Sequence, residues 1–278
     1  MAATAAPPAA RPVAPVGERV WRRFTAGQRL ARFAVYLVIV AAIVVSIQSV
    51  EIIPEFLYDA PEQMVDLFSR MWPMDWAHYP DTVHDALIET IHIASLGTLL
   101  SLVMAMPVGI LAAHNLVPST PLNLIAKLIL VSSRSVNSLV WALLFVGIFG
   151  PGALAGTLAI AFRSIGFVGK LFGEALEEAQ PGPIEALTAA GAPWISRMTF
   201  GYWPQVKPAF WSIALFRWDI NVRESAVLGL VGAGGIGMAL DSALNLFQWE
   251  RVAVILAAIF AVVIIAELIV TQVRKRVL

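Results

Sequence analysis

Six ionisable side chains fall inside stretches that are otherwise apolar: Arg134, Arg163, Arg217, Asp219, Arg223 and Glu224. A charge at the centre of a membrane span costs about 2.5–3.5 kcal/mol on insertion scales, so each calls for a counterion, a watery cavity or a ligand. On one helix, Arg217, Asn221 and Glu224 are spaced i, i+4, i+7 and share a face. Asp219 and Arg223, four apart, share a nearly opposite face and are read first as a structural ion pair between helices or subunits. For Arg217 and Asn221 two readings stand, the lining of a pathway and a structural contact. Arg163 has no acidic residue within one helical turn, so it needs a partner on another helix, a water-filled cavity or an anion. The candidate pathway set is Arg163, Arg217, Asn221, Arg223 and Asn137. Among these six, four arginines against two carboxylates leave two positive charges. That excess suits an anion, because guanidinium pairs bidentately with tetrahedral oxyanions.

Other motifs carry less chemistry. Gly232, Gly234, Gly235 and Gly237 fit G-x-G-x-x-G, but a dinucleotide site also requires a βαβ unit and an acidic residue about 20 positions on, and neither follows here. The glycines are read instead as a tight external turn or re-entrant segment. No G-x-x-x-x-G-K-[ST] occurs, so a nucleotide would have to be bound by another chain. His78, His84, His92 and His114 lack metal-ligand spacing, and no Ser, His and Asp set is placed by a motif. No catalytic residue and no metal site is assigned. The absence of cysteine excludes disulfides, thiolate ligands and cysteine nucleophiles.

The elements that must position these residues follow from hydropathy. Of the 278 residues 59% are apolar and only 14% charged, and the mean hydropathy is +0.77. A soluble domain carries roughly 25% charged residues, so this chain cannot cover a water-facing surface and is read as an all-α polytopic membrane protein. Residues 1–30 are expected to form a disordered, basic tail, since the opening Ala- and Pro-rich stretch cannot repay the entropy of folding. The first transmembrane helix is placed at 31–53. About 20 apolar residues suffice to cross the bilayer. It lacks the short apolar core and cleavage site of a signal peptide and is expected to be retained. Residues 54–86, acidic and aromatic, form an external loop with room for an interfacial helix. A core of five spans fills 87–278, at about 88–113, 134–150, 153–176, 205–230 and 250–273, with an apolar segment at 122–131.

Basic residues precede the first span and Arg274, Lys275 and Arg276 follow the last, so both termini are expected inside. The loop 177–204 is then cytoplasmic and the segment 231–249 external. Arg134, within Ser132 to Ser138, is expected at the cytoplasmic interface, where its long side chain can snorkel.

Within the cytoplasmic loop, Pro183 to Gly191 reads as one short helix, with proline in its first turn, Glu185 near the positive end of the dipole and glycine as terminator. Glu185, Ala186 and Leu187, then Gly191, then Gly201-Tyr202-Trp203-Pro204, have the spacing of the cytoplasmic loop in permease subunits of binding-protein-dependent ABC importers, and the chain resembles that family. Leu187 stands where alanine is usual, and Gly201 and Trp203 where Ile and Leu are usual. The stretches Trp141 to Phe145, Ser164 to Phe172 and Ile220 to Gly237 resemble the phosphonate branch, over roughly residues 82–278.

The resemblance implies a type I importer permease fold in a bacterial cytoplasmic membrane. It implies a second copy of the permease, two ATP-binding subunits and an external substrate-binding protein as partners, with lipid around the chain and no nucleic acid. ATP and Mg would act in the ATPase subunits, and no cofactor is expected on this chain. In the family the short helix around Glu185, Ala186, Leu187 and Gly191, with Pro204 closing the loop, docks in a cleft of the ATPase. The cargo implied is a phosphonate or related phosphorus oxyanion. Phosphate, phosphite or another small anion is the alternative, and an ion-coupled secondary transporter is the rival from a different class.

Overall fold

The computed structural model describes residues 24–50 and 53–277. Of the tail expected to be disordered over 1–30, residues 1–23 lie outside the described residues, as does Glu51, and residues 26–30 are helical. The chain divides into two compact units, residues 1–63 and 64–278. Among the described residues every regular element is helical.

In the first unit, α1 (Ala26–Ser49) starts ahead of the apolar run. Thr25 sets that start. Its hydroxyl accepts from the Gln28 N–H at 3.4 Å while the Gln28 side chain accepts from the Thr25 N–H at 3.2 Å, a capping box. Backbone donors, not hydropathy, therefore fix where the helix begins, and Arg29 lies on it. No residue of α1 is buried within the chain. A second helix, α2 (Pro54–Arg70), starts in this unit and occupies the first half of the expected external loop.

In the second unit, a π-helical turn, Tyr79–Val83, runs directly into α3 (His84–Ala112). Then come α4 (Thr120–Ser135), α5 (Ser138–Phe149), α6 (Ala153–Glu177), α7 (Pro181–Ala189) and α8 (Trp194–Ser196). A π-helical stretch, Arg197–Tyr202, leads into α9 (Trp203–Leu228), and a 3₁₀ turn, Gly229–Val231, leads on to α10 (Ile236–Asn245) and α11 (Trp249–Val277).

Among the described residues four helices are long and apolar enough to cross a membrane by themselves: Ala26–Ser49, Tyr79–Ala112, Ala153–Glu177 and Trp249–Lys275. The count reaches six only if two bent pairs are each taken as one span. α4 and α5 meet at 90°, and the α8–α9 run meets α10 at 42°. The expected straight span at 134–150 is thus two helices. Val136 is extended, with ψ 133°, and Asn137 caps α5 by accepting from the Leu139 N–H at 3.0 Å. The 12 residues of α5 reach about 18 Å, well short of a hydrocarbon core of roughly 30 Å.

α6 lies at the centre of this unit because its small residues let neighbours come close. A Cβ added to Gly109 of α3 would sit 2.8 Å from the Gly169 carbonyl, and one on Gly173 would sit 3.1 Å from the Gly109 carbonyl. On another side α4 presses against Gly166, where a Cβ would stand 2.3 Å from the Leu130 carbonyl and 2.9 Å from the Arg134 amide. The Arg134 backbone thus packs against the middle of α6, because the break at Asn137 ends α4 there.

The buried large side chains Ile93, Ile160, Phe172, Leu176, Leu228 and Ile255 fill the seams between these helices. Outward, Leu128, Phe260, Ile264 and Leu268 are exposed. An apolar outer surface beside a filled apolar core is what lipid, rather than water, solvates.

Candidate functional site

The charges of α9 reach across two seams. Arg217 is buried, 3% exposed, and its Nε donates to the Ser164 hydroxyl of α6 at 2.8 Å. Its Nη2 lies 3.4 Å from Glu224 Oε2, and the other oxygen of Glu224 is ion-paired with Arg163 of α6. The Ser164 hydroxyl donates to Asn221 Oδ1 at 3.3 Å, and Asn221 Nδ2 donates to the Thr98 hydroxyl of α3 at 2.7 Å. The Thr98 hydroxyl in turn donates to the Ala94 carbonyl at 2.6 Å. The Arg217 guanidinium also stands 5.6 Å from the centroid of the Phe167 ring, within reach of a cation–π contact.

One polar circuit therefore ties α3, α6 and α9, with two guanidinium groups sharing one carboxylate. Inside a membrane protein such a circuit is stable only if its hydrogen-bonding groups are matched, because water is not at hand to replace a missing partner. Arg163 Nε is buried without a partner in this circuit. The side chains of Arg163 and Glu224 are 27% and 18% exposed, so the circuit is open at that end only.

The structure gathers three of the five candidate pathway residues, Arg163, Arg217 and Asn221, and separates the other two. Arg223 pairs with Asp219 of the same helix, four residues back. The pair expected between helices or subunits closes within α9, since the i, i+4 spacing already brings the two heads together. Asp219 Oδ1 remains buried without a partner. Asn137 serves as the cap at the α4–α5 break. Glu224, Ser164 and Thr98 complete the circuit and were not among the candidates. Ser164 adjoins Arg163, and Thr98 lies between Ala94 and Ser101 on a small-residue face of α3; that was the available signal.

The glycine run closes the far end of the same helices. Gly232, Gly234 and Gly235 take φ of +81°, +85° and +73°, a region costly for residues with a Cβ. The run packs on the start of α6, where the Gly152 N–H donates to the Gly232 carbonyl at 2.9 Å. The Ile236 N–H donates to the Thr90 hydroxyl of α3 at 2.7 Å. Gly237 has no room for a Cβ, which would meet the Ala226 carbonyl at 2.3 Å.

The loop at the opposite end is a seated platform. α7 starts at Pro181, two residues before the expected Pro183, and ends at Ala189. Its terminator is Gly191, at φ +71°. The Gly191 N–H donates to the Thr188 carbonyl and the Ala192 N–H to the Leu187 carbonyl, both at 3.0 Å, the two bonds of a Schellman cap. Glu185 and Ala186 face outward, while Ile184 and Leu187 turn in over Gly201. A Cβ there would lie 3.3 Å from Leu187 and 3.4 Å from Ile184. The two departures from the usual pattern thus compensate each other: a larger Leu187 lies over a residue with no side chain. Gln205 then locks the loop, accepting from the Gln180 N–H at 2.9 Å and donating to the Gly201 carbonyl at 2.7 Å. Pro204, in the first turn of α9, is exposed, as are Ile195 and Phe200.

Among the described residues no three His, Asp or Glu side chains converge as metal ligands would.

Comparison with known proteins places this geometry. Residues 105–278 match the family model of the binding-protein-dependent transport system inner membrane component. The phosphite transport system permease protein of Stutzerimonas stutzeri is 38% identical over 209 residues, 75% of this chain and 76% of that protein. The phosphate-import permease protein of Mycolicibacterium smegmatis is 35% identical over 234 residues, 84% of this chain. The chain spans 44% of the length of that mycobacterial protein. Among solved structures, an amino acid ABC transporter superposes with a TM-score of 0.61 at 19% identity, over 72% of this chain and 96% of that one. The inward-facing methionine ABC transporter gives 0.60 at 21% identity, over 70% and 96%. These two likenesses establish the fold.

Proposed function

The chain belongs to the binding-protein-dependent transport system inner membrane components, and from that premise we propose that it is the permease subunit of an ATP-driven importer of phosphonates or related phosphorus oxyanions. Two copies would form the translocation unit, with two ATP-binding subunits on the cytoplasmic side and a substrate-binding protein outside. ATP and Mg act in the ATP-binding subunits. In this reading both termini lie in the cytoplasm of a bacterial cell, as the basic flanks favour.

The observation that carries the reading is the continuity from α7 to α9. One side chain, Gln205, holds the outward-facing α7 platform to the first turn of the helix that bears Arg217, Asn221 and Glu224. A displacement of α7 by ATPase closure is delivered to α9, and the circuit passes it on to α3 and α6. Transport then follows by alternating access. The cargo class draws its support from relatives named for phosphite and phosphate and from the excess of guanidinium groups. Phosphate and phosphite remain the alternative cargoes for the same reason.

The test is Gly191→Val in the reconstituted importer. A β-branched residue at φ +71° carries strain of about 1–3 kcal/mol and disrupts the cap. Uptake of methylphosphonate should fall at least tenfold, with membrane insertion unchanged. Normal uptake would remove the coupling role. Running wild type against a panel of phosphonates, phosphite and phosphate assigns the cargo, and stimulation of ATP hydrolysis by none of them defeats the anion reading.

A further inference from the structure

α4 and α6 run antiparallel and touch at Gly166 and Gly169, through the Leu130 carbonyl and side chain. Beyond that contact, toward the start of α4 and the end of α6, the helices part around a cavity of about 260 Å³ lined by Lys127, Leu130, Arg134, Lys170, Glu174 and Glu177. Lys127 and Arg134 are seven apart on α4, so they project from one flank of it.

Three cations, Lys127, Arg134 and Lys170, face two carboxylates, Glu174 and Glu177, so the groove keeps one net positive charge. Lys170 is matched by Glu174 at 3.3 Å, and Glu177 is engaged by the His114 N–H at 2.8 Å. Lys127 Nζ lies 2.7 Å from His114 Nε2. Among the described residues neither Lys127 nor Arg134 has a carboxylate partner. Two unmatched cations and a third already weakly paired, around an open cavity with an apolar floor, form the kind of basic site between membrane helices that takes a phosphate group.

We propose that the groove between α4 and α6 is a binding site for a tetrahedral phosphorus oxyanion, held by Lys127, Arg134 and Lys170. The ion is either a free phosphonate or phosphate or the phosphate of an anionic lipid headgroup. For the free ion the proposal rests on the function proposed above, and the groove is then the inner part of the cargo's route. For the lipid it stands alone.

The experiment reads lysine acylation residue by residue, by mass spectrometry, on the purified full chain in neutral detergent. It uses inorganic phosphate, methylphosphonate and phosphatidylglycerol as separate probes, with phosphatidylcholine as control. Lys127 should be protected about tenfold when the groove is saturated, while the exposed Lys207 and Lys275 react as before. Protection by phosphate or methylphosphonate identifies a free-ion site, and protection by phosphatidylglycerol alone a headgroup site. In either case Arg134→Gln should abolish the protection and Arg134→Lys restore most of it. No protection by any of the three, or protection that survives Arg134→Gln, overturns the proposal. The readout needs no transport, so its outcome is independent of the Gly191→Val result.

Discussion

On the side of α6 that meets α9, Arg163 and Arg217 share Glu224, and serine, asparagine and threonine complete the circuit. On the side that meets α4, Lys127 and Arg134 stand over a cavity with no carboxylate of their own. Both regions hold excess positive charge within or near apolar helices, yet they solve the cost differently. The first shares one carboxylate between two guanidinium groups within a hydrogen-bonded circuit, so it ties helices together. The second leaves its charges unmatched but open, where water, lipid phosphate or a passing anion can solvate them. The excess of two positive charges among Arg134, Arg163, Arg217, Asp219, Arg223 and Glu224 thereby divides, one within the shared circuit and one at Arg134.

The largest expected effect comes from breaking the closed side. Glu224→Ala leaves two guanidinium groups facing each other without a counterion and should cost about 3–5 kcal/mol of stability. Arg134→Gln, on the open side, should change stability by less than about 0.5 kcal/mol. Unfolding midpoints of the purified protein in detergent measure both, and equal losses would erase the distinction between the two faces.

Next in size is the contact between them. Gly166→Ala places a methyl group 2.3 Å from the Leu130 carbonyl and must push α4 away, at a cost of about 1–3 kcal/mol. The same change should widen the groove and raise the acylation rate of Lys127 several-fold. A rate equal to wild type would show that α4 does not owe its position to that glycine.

A smaller effect than at Glu224 or Gly166 is expected at the pair within α9. Arg223 is 49% exposed, so its attraction to Asp219 is screened, and Asp219→Asn should cost no more than about 1 kcal/mol. A loss as large as that of Glu224→Ala would mean that the pair meets another subunit after all.

Much of the fold was legible along the chain. Long apolar runs mark α1, α3, α6 and α11, since each must bury or expose some 20 apolar side chains whatever its neighbours do. The break at Asn137 was not legible by hydropathy, because apolar residues flank it on both sides and only the cap chemistry bends the path. The charges on one face of α9 were legible from their spacing. Ser164 and Thr98 were not, because a small hydroxyl in a span is common and becomes significant only when a second helix brings a charge to it. Gly191 announced itself as a helix terminator, whereas the fit of Leu187 over Gly201 needed both segments in place.

Sequence by itself determined that this is a helical membrane protein with charge in its later spans, since composition and period act through local backbone and solvent preferences. Tertiary structure alone decided which arginine shares which carboxylate, that Asp219 and Arg223 close within one helix, and that Arg134 starts from the middle of α6. Those outcomes depend on how closely two helices approach, and glycines at the contact set that distance only once both helices exist.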